Sequence, residues 1–350
     1  MMASYLLIFL TSLIISFLLI PLVKKLARFI DAIDYPGERR INETPVPNIG
    51  GLAIYFSFVI TAFIFFEFNI TLLGIILGGS LITSIGLIDD LYEISPIWKF
   101  SGQILAAVIL ILFGIKIEFI TNPMGGLIFL GNWGIPFTII WVVSITNVVN
   151  LIDGLDGLAA GVSIIAVVTL FLVSLQEGQI ITAVMAISLA GSALGFLYYN
   201  FHPADIFMGD SGSMFLGYII AAVSIVGALK SAAAVTLVVP VLALGVPILD
   251  TLFAIIRRLY YNRPISKADK GHIHHRLLAL GWSQQEATLI VYGISIFLGT
   301  TAFIINGTSL ENGIFLTMFV FVTIIFGAWK IGIFSVDIQS EKAQIKESNF

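Results

Sequence analysis

The chain has 350 residues, of which 58% are hydrophobic and 11% charged, and its formal net charge is −4. Soluble domains carry about 25% charged residues, so this composition excludes a surface that water could cover and favours a lipid bilayer as the solvent. The small acidic balance argues against non-specific binding to nucleic acid, and the absence of cysteine excludes disulfides and thiolate chemistry.

Apolar runs along the chain predict eleven membrane-spanning helices. The first run lacks a basic stretch before it and is followed by Lys24, Lys25 and Arg28, which predicts a retained span with its N-terminus outside rather than a signal peptide. A spanning helix needs about 20 mostly apolar residues. The predicted spans lie near residues 4–23, 49–67, 70–88, 98–117, 135–152, 158–175, 179–199, 211–228, 232–256, 287–306 and 313–331.

The distribution of Lys and Arg tests this topology. Of the 17 basic residues, only Lys116 and Lys230 fall outside, which leaves 17 − 2 = 15 inside, as the positive-inside rule requires. We therefore predict one polytopic membrane domain over residues 1–335, a cytoplasmic tail over residues 336–350, and a short outside hairpin within residues 118–134. The predicted cytoplasmic segments are residues 24–48, 89–97, 153–157, 200–210 and 257–286.

The first polar cluster is Asp89 and Asp90, where the third span meets the inside face. Adjacent carboxylates repel each other unless a cation or a shared proton relieves the repulsion. Neighbours on a helix point about 100° apart, so the two acids need not bind one metal, and one of them can transfer a proton. A solvated helix cap is the alternative interpretation.

The second cluster, at the end of the fifth span, consists of Asn147, Asn150, Asp153 and Asp156. The first three recur every three residues and so share one stripe of a helix that ends at the membrane surface. A glycine follows each acid, which lets the backbone turn or approach a ligand closely. Two amides and two acids at a bilayer boundary favour a functional site over a simple amphipathic helix end.

The third cluster opens the eighth span and contains Asn200, Phe207 and Asp210. A helix N-terminus offers free N–H groups and a positive potential, which suit phosphate. Asp210 can hold a divalent cation that such a phosphate also contacts, because Mg²⁺ prefers oxygen ligands. The alternative is that Asp210 or Ser211 simply caps the helix.

The fourth cluster is a basic loop with His272, His274, His275 and Arg276. Its spacing fits no closed zinc site, so it indicates either cationic contacts to a polyanionic substrate or contact with anionic lipid. The four clusters together place metal-binding acids, a phosphate-binding helix start and a cationic loop on one face. That combination predicts metal-assisted phosphoryl transfer at a membrane surface.

The motifs resemble those of the polyprenyl-phosphate N-acetylhexosamine-1-phosphate transferases over essentially the whole chain. The Asp89-Asp90 pair, NVVNLIDGLDGLA, PADIFMGDSGS and the HIHH loop occur in the order of that family. The HIHH form is similar to the WecA/TagO branch, which uses UDP-GlcNAc, whereas the MraY branch uses UDP-MurNAc-pentapeptide and carries three consecutive histidines. The first inside loop, residues 39–51, also matches, although Asn42 and Asn48 stand where the branch often has histidine and a basic residue.

The resemblance implies an all-α fold in the bacterial plasma membrane with an active-site cleft on the cytoplasmic face. It implies that undecaprenyl phosphate attacks the β-phosphorus of UDP-GlcNAc, that UMP leaves, and that Mg²⁺, or Mn²⁺ in its place, is the cofactor bound by Asp210. A homodimer is expected by family analogy. The implied catalytic residues are Asp89, Asp90, Asp153, Asp156 and Lys99. The implied substrate-binding residues are Asn147, Asn150, Asn200, Phe207, His272, His274, His275 and Arg276.

Two alternatives stay open at this stage. An MraY-type or other UDP-sugar specificity is compatible with the same motifs. A secondary transporter is also polytopic with intramembrane acids, but transporters tend to place them near the bilayer midplane. Here most acids cluster at one set of span ends, and Asp250, about two turns inside the membrane from Arg257, is the exception.

Overall fold

The computed structural model describes residues 2–36, 44–122, 126–230, 238–260, 271–308 and 310–330. Residues 39–43 of the first loop motif, the loop cations Arg263, Lys267 and Lys270, and the predicted tail lie outside these ranges. Within them the chain forms the helices α1 (Met2–Phe29), α2 (Gly51–Phe65), α3 (Ile70–Tyr92), α4 (Pro96–Leu112), α5 (Gly134–Ile152), α6 (Leu158–Gln176), α7 (Ile180–Asn200), α8 (Gly209–Lys230), α9 (Val238–Ala243), α10 (Gly245–Tyr260), α11 (Ile273–Ala279), α12 (Gln284–Asn306) and α13 (Leu310–Lys330).

Two small antiparallel strand pairs complete the described fold. Strands β1 (Ile33–Asp34) and β2 (Val46–Pro47) pair beside the end of α1. Strands β3 (Phe119–Thr121) and β4 (Leu127–Phe129) pair with Ile120 opposite Ile128, which confirms the hairpin predicted within residues 118–134.

Helix length and hydropathy confirm the all-α integral membrane class. Seven described helices are long and apolar enough to cross a membrane: α1, α3, α5 with the preceding 3₁₀ turn, α6, α7, α8 and α12. Helices α2 and α4 and the segment Glu311–Gly327 of α13 are shorter apolar helices. These ten coincide with ten of the predicted spans, while the total of eleven and the orientation in the bilayer stay predictions.

The predicted ninth span, residues 232–256, is not one continuous helix. Helix α9 ends at Ala243, Leu244 forms a turn, and α10 begins at Gly245. Pro247 explains the break, because it has no N–H to donate to the carbonyl of Ala243 four residues earlier. The described part of this predicted span is therefore divided between α9 and α10.

Helix α8 lies at the centre of the fold. In its most apolar stretch, 94% of the residues are buried inside the protein. Helices α2, α3 and α5 are among those packed on it. A Cβ at Gly51 would overlap Gly212, and a Cβ at Gly86 would lie 2.5 Å from the Cα of Ser211. Glycine at these two positions lets α2 and α3 touch the backbone at the start of α8, which fixes the first turn of that helix.

Helices α1 and α7 pack through small residues at a four-residue spacing. A Cβ at Gly191 would overlap the hydroxyl of Ser12, and a Cβ at Gly195 would overlap the carbonyl of Leu13. Small residues at this spacing let helices approach closely in membranes, where van der Waals packing and interhelical hydrogen bonds drive association. Ser57 of α2 joins this contact by donating a 2.6 Å hydrogen bond to the carbonyl of Ser12.

We expect Gly195→Ala to lower the Tm of the protein in detergent. The added methyl group would meet the backbone of α1, which cannot move aside, and overpacking typically costs about 1–3 kcal/mol. Gly293→Ala is the matched control, because Gly293 also lies within a spanning helix but has no atom within 4 Å of an added Cβ. An equal Tm for both variants would contradict the close α1–α7 contact.

Candidate active site

The first turn of α8 is capped by a side chain from α3. Asp90 accepts backbone hydrogen bonds from Asp210 at 2.6 Å and from Ser211 at 3.1 Å. Gly209 has φ +70°, and a Cβ there would lie 2.5 Å from the carboxylate of Asp90. A carboxylate stabilises a helix N-terminus by pairing its free N–H groups. These two N–H groups are therefore not free for a phosphate, contrary to the sequence-based expectation for this helix start.

Asp89 faces a different partner, as expected of adjacent residues on a helix. The Nζ atom of Lys99 on α4 lies 2.8 Å from Oδ2 of Asp89 and 2.6 Å from Oδ2 of Asp210. The other oxygen of Asp210 accepts a 3.0 Å hydrogen bond from Asn150, whose amide also lies 2.9 Å from the hydroxyl of Ser213. Helix α3 continues to Tyr92, so both acids lie in its last turn. The predicted cytoplasmic segment, which begins at residue 89, therefore starts within the last turn of α3 rather than in a loop.

Asn147 has a structural partner rather than a place in the cavity described next. Its amide nitrogen donates to Gln103 at 2.6 Å, and the amide nitrogen of Gln103 donates in return at 3.3 Å. Gln103 is buried, at 2% exposed. The pair joins α4 to α5 one turn from Lys99.

A cavity of about 900 Å³ opens beside Asp210. This volume lies within the range of small-molecule sites, about 300–1,000 Å³. Its walls come from the first loop, the turn after α5, the segment between α7 and α8, and the region of α11 and α12. The lining residues are Asp34, Thr44, Val46, Asn48, Asn150, Asp153, Gly154, Leu155, Asp156, Asn200, His202, Pro203, Ala204, Phe207, Met208, Gly209, Asp210, His275 and Gln284.

The cavity wall is acidic. Among the described lining residues there are four carboxylates, from Asp34, Asp153, Asp156 and Asp210, and no lysine or arginine. Burial, together with the neighbouring charges of Asp210 and Asp156, raises the pKa of Asp153 to about 7. A cation beside these carboxylates would relieve their repulsion of an anionic ligand.

Two side chains join the turn after α5 to the segment after α7. Buried Asn200 accepts from the backbone N–H of Gly157 at 3.0 Å and donates to the carbonyl of Ile206 at 2.9 Å. Asp156 lies 2.7 Å from Nδ1 of His202 and accepts from the backbone of Ala204 at 3.1 Å. Asn200 therefore shapes the cavity through backbone contacts.

The first loop forms another wall of the same cavity. The backbone N–H of Phe207 donates to the carbonyl of Pro47 at 2.8 Å, and that of Gly50 donates to the carbonyl of Phe207 at 2.9 Å. Asp34 and Asn48 consequently line the cavity. The described part of the loop, whose role the sequence left open, thus lines the cavity.

The four predicted residues of the HIHH loop take different positions around α11. His275 lines the cavity, whereas His272, His274 and Arg276 are buried. His274 packs on the turn after α5, since a Cβ at Gly154 would lie 2.6 Å from its Nε2 atom. Burial lowers the pKa of His274 to about 3, so this ring is neutral at physiological pH. Of these four residues, His275 is therefore the one placed to contact a ligand in the cavity.

Sequence reasoning missed several residues of the site. Ser213 contacts Asn150, Gln103 contacts Asn147, and His202 contacts Asp156. Ser213 lies one turn after Asp210, a spacing that could have indicated it. The other two pairs join residues 44 and 46 positions apart, and one sequence carries no signal for such contacts.

The donor set can be tested for a divalent cation. Among the described residues, no group of three or more His, Asp or Glu side chains could hold a metal ion by itself. Mg²⁺ usually keeps several waters and binds through one or two carboxylates together with substrate phosphates. Asp210 beside an acidic cavity fits that manner of binding, because the remaining oxygen ligands would come from the substrate and from water.

Comparisons with known proteins agree with the motifs. The family model described as glycosyl transferase family 4 matches residues 72–228. The chain is 40% identical to the probable undecaprenyl-phosphate N-acetylglucosaminyl 1-phosphate transferase of Bacillus subtilis, over 91% of this chain and 88% of that protein. It is 37% identical to the decaprenyl-phosphate N-acetylglucosaminephosphotransferase of Mycobacterium leprae, over 84% and 81%. It is also 33% identical to the phospho-N-acetylmuramoyl-pentapeptide-transferase of a Thermoanaerobacter species, over 80% and 92%.

We expect Asp90→Asn to lower the Tm more than Asp89→Asn does. The amide at position 90 would turn one NH₂ group towards a backbone N–H of α8, and an unsatisfied buried donor costs about 1–3 kcal/mol. Asp89→Asn leaves Lys99 paired with Asp210, so the fold loses little. Thermal unfolding of both variants in the same detergent measures the difference, and equal losses would contradict separate roles for the two acids.

Proposed function

Because the chain belongs to the polyprenyl-phosphate N-acetylhexosamine-1-phosphate transferases, we propose that it transfers GlcNAc-1-phosphate from UDP-GlcNAc to undecaprenyl phosphate. The products are UMP and undecaprenyl-pyrophosphoryl-GlcNAc. One phosphoanhydride replaces another, so the reaction needs no ATP. The observation that carries the proposal is the contact of Lys99 with both Asp89 and Asp210 beside the 900 Å³ cavity.

The acceptor phosphate would bind at Lys99. The side chain of Lys99 is 26% exposed, and its ammonium group contacts two carboxylates. Lys99 can therefore replace one of these contacts with a contact to a phosphate oxygen. Asp89 would then orient the phosphate or accept its proton. Ile97, Trp98 and Phe100 flank Lys99 and are 52–75% exposed, which suits a lipid carrier that approaches through the bilayer.

The donor would occupy the cavity. Phe207 offers an aromatic face for the uracil base, while Asn150 and Asp156 provide amide and carboxylate groups for hydrogen bonds. His275 faces the cavity and can carry a charge near the diphosphate or the sugar. With its β-phosphorus towards Asp210, the donor would meet the acceptor phosphate on Lys99, and in-line positioning supplies much of the catalysis in phosphoryl transfer.

Mg²⁺ is the proposed cofactor, with Mn²⁺ as a substitute, and Asp210 is its proposed protein ligand. When bound, the cation would neutralise the charge that develops on the diphosphate. Asn150 holds one oxygen of Asp210 through a 3.0 Å hydrogen bond and so orients the carboxylate. Asp153 adds a carboxyl group whose raised pKa lets it hold a proton near pH 7.

The protein is a multi-pass protein of the bacterial plasma membrane. We place the cavity on the cytoplasmic face, because UDP-sugars are found there and because 15 of 17 basic residues fall on that side in the predicted topology. A homodimer remains a proposal by family analogy. Transfer of phospho-MurNAc-pentapeptide is the second candidate, supported by the similarity to a relative of that name.

Release of UMP by the purified protein tests the function directly. We expect UMP to form only when UDP-GlcNAc, undecaprenyl phosphate and Mg²⁺ are all present, and to form poorly from UDP-MurNAc-pentapeptide. The opposite donor preference would establish the second candidate. A protein that moves UDP-GlcNAc across vesicle membranes without releasing UMP would overturn the assignment as a transferase.

Asp210→Asn should abolish UMP release without unfolding the protein. The variant loses the proposed metal ligand, and the loss of one such group typically costs several kcal/mol of transition-state stabilisation. Asp205→Asn is the matched control, because Asp205 lies in the same segment but is 64% exposed and pairs only at 3.4 Å with Lys24 among its described ion pairs. Near-normal activity of Asp210→Asn at ordinary Mg²⁺ concentration would contradict the role.

A further inference from the structure

We propose that Asp250 is a positioning residue for donor recognition. Together with His272, it holds α11 against the cavity. The proposal rests on the proposed function and extends it to a residue outside the cavity. Asp250 was the exception among the acids that cluster at span ends. It lies on α10, just after the break, and its partner His272 belongs to the HIHH loop.

Both oxygens of Asp250 bind the start of α11. Oδ1 accepts a 2.8 Å hydrogen bond from the backbone N–H of Ile273, and Oδ2 lies 2.7 Å from Nδ1 of His272. Asp250 is 4% exposed and His272 is 7% exposed. A buried carboxylate is costly unless its oxygens are paired. Here both partners come from one short segment, so the position of that segment depends on Asp250.

Helix α11 needs such an anchor. It has seven residues, and helices this short are marginal without outside contacts. Its N-cap residue, His272, makes no side-chain capping bond of its own. Asp250 on α10 therefore performs from another helix the capping that the local sequence does not provide.

The position of α11 determines which groups reach the donor. His274 packs on Gly154 of the turn after α5, and His275 lines the cavity. Asp250 is not among the lining residues. The reacting groups Lys99, Asp89 and Asp210 contact one another without α11. Loss of Asp250 should therefore weaken donor binding and leave the acceptor side intact.

Steady-state kinetics of UMP release, with each substrate varied in turn, tests this separation. In Asp250→Ala and His272→Ala, we expect the KM for UDP-GlcNAc to rise about tenfold or more, as for loss of one strong polar contact. The KM for undecaprenyl phosphate should stay within about twofold and kcat within about threefold. Asp250→Asn should recover part of the donor affinity, because its oxygen can still accept from Ile273.

The control variant is Ser224→Ala. It removes the part-buried 3.0 Å hydrogen bond that Trp141 of α5 donates to Ser224 in the second half of α8, so it reports how the loss of a hydrogen bond between helices away from the site affects the kinetics. We expect its donor KM to be unchanged. A lowered Tm with an unchanged donor KM in Asp250→Ala would show a merely structural role. A fall in kcat that Asp250→Asn does not recover would show direct participation in the reaction. Either outcome would overturn the proposal.

Hydrogen exchange of the full protein in detergent provides a readout that does not depend on activity. In Asp250→Ala, amides of residues 271–283 should exchange at least tenfold faster than in the wild type, while those of residues 201–208 should be unchanged. Unchanged exchange at residues 271–283 would overturn the proposal even if the enzyme is active. Faster exchange in Asp250→Ala, together with a wild-type protein that releases no UMP, would support the role of Asp250 in holding α11 and refute the proposed function.

Discussion

The fold and the site both depend on how the backbone N–H groups at the start of helix α8 are hydrogen-bonded. Helix α8 begins at the wall of the cavity, and Asp90 pairs with the backbone N–H groups of Asp210 and Ser211 in its first turn. Glycines in α2 and α3 bring their backbones against the same turn. Because Asp90 and Asp89 are adjacent on α3, the cap that positions α8 also brings Asp89, Lys99 and Asp210 together. Packing and chemistry therefore share one constraint.

The same arrangement leaves the site with too much negative charge. Lys99 is shared by Asp89 and Asp210, and the described cavity wall adds three further carboxylates without a lysine or arginine. Such a site is stabilised by a divalent cation or a proton, and the raised pKa of Asp153 shows the local cost of adding another charge. In the proposed reaction, a cation bound beside these carboxylates would couple binding of the metal to binding of the donor.

Much of this architecture could be predicted from the sequence, because hydropathy and helix length depend on local residues. Residues of all four clusters lie near the start of α8 or along the cavity beside it. What could not be predicted is which atom contacts which. Asp90 caps residues 120 positions away, and Asp250 binds a loop 22 positions away. These pairings depend on how the helices cross, which the local sequence does not encode.

The division between helix ends and loops has a functional consequence. The groups proposed to handle the acceptor and the metal lie on α3, α4, α5 and α8, which are packed along most of their length. Of the groups proposed to bind the donor, Asp156 and Phe207 lie in segments between helices, and these segments are joined by a few hydrogen bonds, such as Asn200 to Gly157 and Phe207 to Pro47. Loops tolerate substitution better than packed helices do. Donor specificity can therefore change through the loops, while the phosphoryl-transfer centre keeps its geometry.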